Sequence, residues 1–194
     1  FKQLGLRPIQ PFWKGLPHAN IFSSFMPNLL YQLHKGVFKD HLVKWCTTLV
    51  KAKNLDSRFN ASPSLSGLHH FEGISHVSQW TGHEHKKMKQ VFLALVAGGV
   101  KEDVIRAVRA LMDFIYLVSL HSHTITMFSA LRQALDDFHT HKDVFTKEGG
   151  RHPAHFNIPK YHMLEHYALV VTIANQNCDL KRQNYLYMNR PEFH

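Results

Sequence analysis

Apolar residues that recur every three or four positions, interrupted by sharply marked breaks, constrain this chain more than any other feature. Leu29, Leu30, Leu33, Val37, Phe38, Leu42, Trp45, Cys46, Leu49 and Val50 fall on one stripe, because residues three and four apart share a helical face. Pro27 suits the first turn of that helix, and the stripe carries it to about Lys53. Gly36 is its weak point, costing roughly 1 kcal/mol relative to alanine in a helix interior. Asn54 to Ser78, with Pro63, Gly67, Gly73 and several serines, reads as a long connection. Such a length inside a domain marks either mobility or function.

Further breaks are equally legible. Thr81-Gly82-His83-Glu84 spells a capping box, in which the threonine oxygen accepts from the N3 amide while the glutamate reaches back to the cap amide. The following helix turns Met88, Val91, Phe92, Leu95 and Val96 inward and stops at Gly98-Gly99. Another begins near Lys101, where Glu102 and Asp103 match the positive end of the helix dipole, and buries Val104, Val108, Leu111, Met112, Ile115 and Val118. Ser122 or Thr124 caps the next, which buries Phe128, Leu131, Leu135 and Phe138 and ends before Gly149-Gly150. A last helix spans Lys160 to Ala174.

The expected fold is therefore mainly α, a domain of about five helices over residues 27–174. Residues 1–26 form an extended lead-in, since Pro8, Pro11 and Pro17 exclude a long helix. They leave room for at most a short strand near Ala19 to Phe22. Residues 175–194 lose all periodicity and read as a loosely held tail.

Composition narrows the class. With 194 residues and 44% hydrophobic content, the chain can bury a core and is not disordered as a whole. Its longest apolar runs, Val91 to Val100 and Phe114 to Leu120, fall short of the roughly 20 residues that span a bilayer, so no membrane partner is expected. Cys46 and Cys178 make no disulfide framework and read as reduced thiols. Phe1 to Asn20 contains no apolar signal core. Both point to an intracellular protein, and a start at Phe1 suits a processed product or fragment.

Charge supplies the functional lead. Twenty-three Lys and Arg against 14 Asp and Glu give +9, with 17 histidines besides, which favours anionic partners such as DNA. Lys86, Lys87 and Lys89 cluster in one helix; Arg106 and Arg109 share a face at i, i+3; Lys35 and Lys39 pair at i, i+4. Each group alone is an ordinary solvated helix face. Together they form a candidate phosphate-contacting surface.

Catalytic signals are sparse. The histidine pairs His69-His70, His83/His85, His121/His123 and His139/His141 are poor chelates, because a spacing of two on a helix points side chains to opposite sides. His162 and His166, at i and i+4, are the metal-ligand candidates with proper helical geometry, and with Glu165 they spell H-x-x-E-H. A protease of that type needs a further ligand, and Glu192 is the sole later glutamate, so none is expected. No G-x-S-x-G occurs, and the glycine pairs look like helix stops rather than phosphate loops. Spacing singles out no set of three carboxylates.

One family brings many of these residues into a single order. Pro17-His18-Ala19-Asn20-Ile21-Phe22 and Leu33-His34-Lys35-Gly36-Val37-Phe38-Lys39-Asp40-His41-Leu42 resemble the Plavaka transposases, fungal members of the Kyakuja–Dileera–Zisupton group of DDE transposons. Gly73-Ile74-Ser75, Ser78-Gln79-Trp80-Thr81-Gly82, Arg106-Ala107-Val108-Arg109-Ala110, Asp113-Phe114-Ile115-Tyr116 and Phe156-Asn157-Ile158-Pro159-Lys160, with His162 and His166-Tyr167, follow in order. The resemblance implies a cut-and-paste DNA transposase whose RNase H-like core carries the metal-binding acids. A long helical insertion separates its second acid from its third, and this chain looks like that insertion with a little upstream flank. Nuclear location and partnership with other transposase copies follow from the same resemblance.

Departures from the family pattern bear on activity. Where the family reads Pro-Asp-x-Leu-His-Gln-Leu-His-Lys-Gly, this chain has Pro27-Asn28-Leu29-Leu30-Tyr31-Gln32-Leu33-His34-Lys35-Gly36. Asn28 thus stands at the place of a catalytic aspartate, and a neutral amide lacks the anionic oxygen that holds a divalent ion. The family's Asn-Thr-Glu and Glu-Arg-Leu-His elements are not recognisable after Ala174. The first acid is expected upstream of Phe1. The reading is a degenerate, partial transposase with residual DNA affinity, no intact catalytic residue and no cofactor of its own. Mg²⁺ or Mn²⁺ enters only with a complete parent enzyme. A helical interaction or oligomerisation module, and a piece of an active DDE nuclease with a longer parent chain, are the alternatives.

Overall fold

The computed structural model describes residues 10, 12–15, 29–63, 73–74, 80–120, 123–153 and 155–168. After a 3-10 turn at Phe12–Gly15, the helices are α1 (Leu29–Val43), α2 (Lys44–Val50), α3 (Ala52–Ala61), α4 (Gly82–Val96), α5 (Glu102–Val118), α6 (Ile125–His141), α7 (Val144–Lys147) and α8 (159–168). Among the described residues there is no strand, and the protein is mainly helical. The short strand expected near Ala19 to Phe22, Asn28, the end of the last helix beyond 168 and the tail 175–194 lie outside the described residues.

The first predicted helix is two differently wound segments. α1 is a π-helix, whose i to i+5 bonds widen the turn. Its buried neighbours Leu33 and His34, Val37 and Phe38, Leu42 and Val43 step by four and then by five. The wider turn keeps them on one face. α2 returns to α geometry and buries Trp45, Cys46 and Val50. Burial pushes the Cys46 thiol well above its ordinary pKa, so this cysteine is an inert core residue.

The chain then breaks at Lys51 rather than continuing to Lys53. Lys51 sits at φ 72°, ψ 136° and separates α2 from α3. Apolar spacing could not reveal this break, because no glycine marks it and only Leu55 and Phe59 of α3 are buried. The connection expected from Asn54 onward is accordingly helical as far as Ala61. Arg58 on α3 donates to the carbonyls of Leu95 at 3.0 Å and Ala97 at 2.6 Å. It thereby caps the C-terminus of α4, where a cation is favoured. A non-glycine residue at positive φ stores about 1–3 kcal/mol. Lys51→Gly is expected to raise stability by about 1 kcal/mol in urea denaturation; an unchanged or lowered midpoint would show the break to be unstrained.

The helix expected to run up to Gly149-Gly150 ends instead at His141, with α7 following it, and its Phe128 is only half-buried; other breaks stand as expected. Thr81 and Glu84 form the reciprocal capping box of α4, which ends at Val96 just before Gly98 at φ 73°. Thr124, of the two candidates, caps α6 by accepting from the Met127 amide. α5 is the central helix: Val104, Ala107, Val108, Leu111, Met112, Phe114, Ile115 and Val118 are all buried. It packs most extensively on α6 and also touches α1, α4 and α7. Gly36 is more than a weak point, since a Cβ there would meet the stem of Lys160. That stem carries its ammonium to 3.5 Å from Asp40.

Candidate nucleic-acid interface

Packing of α1 against α4 brings two of the basic runs together. Lys35 lies exposed on α1, 3.8 Å from Asp40, and the Lys39 ammonium sits 5.1 Å from the centroid of Trp80, within cation–π range. On α4, Lys86 is exposed and Lys87 half-buried. Between the helices His34, His85 and Lys89 are 3%, 2% and 4% exposed. Lys89 Nζ stands 3.2 Å from His34 Nδ1 and 5.2 Å from the centroid of Tyr116 on α5. A lysine ammonium only donates, so Nδ1 accepts and His34 is neutral.

The charges of this patch act on one another. Burial first, then Lys89, His85 and Lys86, lowers the His34 pKa to about 4. Burial, then Lys86, lowers that of Lys89 to about 8. His85 is lowered by burial and then by Lys39, with Asp40 and Glu84 opposing. Lys39 thus lies against Trp80 at one side of the α1–α4 seam, and Lys86 lines a groove at its other side. That groove has a volume of about 520 Å³ and is lined by Leu29, His34, Gly82, His83, Lys86, Ser119 and Leu120. Among these described residues Lys86 is the cation of that lining, the one side chain there that can neutralise a phosphate oxygen.

The remaining sequence candidates lie apart. Arg106 is 3.7 Å from Glu102 and 3.8 Å from Asp103, and Arg109 is 3.7 Å from Asp113. Both arginines are engaged along the exposed side of α5. Lys89 is turned inward rather than lying beside Lys86 at the surface. It falls four residues after His85 and three before Phe92, on the inner face of α4. The inward register of Lys89 is visible in that spacing, though Lys86 and Lys87 beside it suggest an exposed basic run. The histidines His34 and His85 and the indole of Trp80 are the members that charge counting missed. His162 and His166 lie on α8, and among the described residues no group of three or more His, Cys, Asp or Glu is placed to hold a metal ion.

Comparison with known families bears on the α1 half of this patch. Residues 1–46 match the family model of Plavaka transposase. The chain is Plavaka-like over that stretch, which supports a transposase-derived protein. His34, Lys35 and Lys39 fall inside the match, whereas Lys86, Lys87 and Lys89 lie beyond it. The later runs, from Gly73-Ile74-Ser75 to His166-Tyr167, lie outside that match. No curated protein and no solved structure matches the chain. No helix among the described residues is long and apolar enough to cross a membrane.

Proposed function

We propose that this chain is a transposase-derived helical segment that holds DNA by its phosphates and does not itself cut or join strands. One observation supports the binding half: α1 packs on α4, with Lys35 exposed on α1, Lys39 against Trp80, and Lys86 in a groove lined also by His34 and His83. Phosphate contacts of this kind position a protein without reading sequence. The inactive half rests on Asn28, an amide at the place of a family aspartate. A nuclear site of action follows from a DNA substrate, and binding to other transposase copies remains the competing reading.

Fluorescence anisotropy with a labelled duplex tests the binding. Affinity is expected to fall steeply between 50 and 200 mM salt. Lys35→Glu, Lys39→Glu and Lys86→Glu combined are expected to weaken binding about 10- to 100-fold at 50 mM salt. The log–log salt slope should shrink by about 0.9 for each phosphate that is no longer neutralised. No binding at 50 mM salt, or a triple variant that binds like the parent, overturns the proposal. Self-association on a sizing column without DNA affinity would favour the interaction module instead. A Mn²⁺-dependent nick that disappears when the chain's own acids are replaced would refute inactivity.

A further inference from the structure

His162 and His166 stand one helical turn apart on α8, both exposed. Their Nε2 atoms are 3.3 Å apart and their rings are nearly perpendicular at 87°. An ion about 2.05 Å from each nitrogen, the usual zinc–imidazole distance, would see them at about 107°, close to the tetrahedral angle. We propose that this pair is a two-coordinate protein site for a borderline transition ion such as Zn²⁺ or Co²⁺, its other positions filled by water or a small anion.

Ligand chemistry selects the ion. Two imidazoles offer no anionic oxygen, so the hard ions Mg²⁺ and Mn²⁺ gain little here, whereas Zn²⁺, Co²⁺, Ni²⁺ and Cu²⁺ favour such nitrogen donors. The neighbouring acid is already engaged. Glu165 lies 2.8 Å from Arg132 Nη1 and 3.3 Å from His139 Nε2, both on α6. That engagement leaves the two histidines as the ligands and anchors the turn of α8 that carries them. Tyr161, Leu164 and Tyr167 are buried on the opposite side, so the backbone spacing of the pair is fixed by packing. The present Nε2–Nε2 contact is a hydrogen bond, so a metal ion would displace the proton it shares. The exposed rings then turn to aim both lone pairs at the ion at about that spacing. This site is independent of DNA binding by the α1–α4 patch.

The full chain titrated with Zn²⁺ and followed by histidine ring resonances in NMR tests the assignment. At the lowest metal concentrations the His162 and His166 rings are expected to shift together, ahead of the other histidines. His162→Ala and His166→Ala, both at exposed positions, should each lower the affinity of this first equivalent at least tenfold, while Mg²⁺ at the same concentration shifts neither ring. A first equivalent that survives either substitution, or rings that shift equally with Mg²⁺, would overturn the site.

Discussion

Trp45→Ala is expected to lower the free energy of unfolding by about 3–5 kcal/mol, the range for truncating a large buried aromatic. Trp45 is 4% exposed and joins elements far apart in the chain. It stacks on Tyr161 of α8 at 5.6 Å and 19°, and meets Phe145 of α7 at 5.0 Å. It also meets Phe156 edge-on at 5.6 Å. The Arg151 guanidinium lies 5.5 Å from its ring. Removing the indole therefore leaves a cavity where α2, α7, α8 and the segment before α8 meet. Against a total stability of about 5–15 kcal/mol for a domain of this kind, such a loss takes at least about a fifth. Urea denaturation followed by circular dichroism measures it. Trp45→Phe keeps an aromatic face toward Tyr161 and should cost less than half as much. A Trp45→Ala cost below about 1 kcal/mol would mean that this aromatic cluster does not hold α8 in place.

What was legible in the sequence depended on whether one residue type or several long-range neighbours decided the outcome. The α4 cap could be read from Thr81 and Glu84 because its hydrogen bonds are local. The start of α5 could be read from Glu102 and Asp103 at its positive end, and most of its buried face from periodicity. Lys51 could not, because a lysine in positive φ leaves no compositional trace. Nor could the π-winding of α1, since buried pairs stepping by four and five blur into an α stripe over fifteen residues. At the candidate interface the lysine runs were visible, but which of their members face solvent is a tertiary fact. Their sorting into outward Lys35 and Lys86 and inward Lys89 depends on the packing of α1 against α4.

That inward lysine and its histidine partner make stability depend on pH in a direction that can be worked out. Unfolded His34 takes up a proton near 6.5, whereas in the fold its pKa is about 4. Between those values the unfolded chain binds more protons, so stability falls as pH drops from 6.5 toward 4. A shift of this size corresponds to about 3 kcal/mol at full protonation. His41, His85 and His139 are lowered too, burial being the largest cause in each, and they act in the same direction. Lys89, lowered to about 8, works in a separate window: stability rises with pH between about 8 and 10.5. His34→Gln keeps an acceptor for Lys89 but cannot titrate. Its urea midpoint is expected to fall less between pH 6.5 and 4.5 than that of the parent, the difference approaching 1.36 kcal/mol per pH unit. Equal acid slopes in the two proteins would show that His34 is protonated in the fold. The Lys89–His34 contact would then be a repulsive one, and the patch would lose the neutral partner that lets a lysine ammonium sit between α1 and α4.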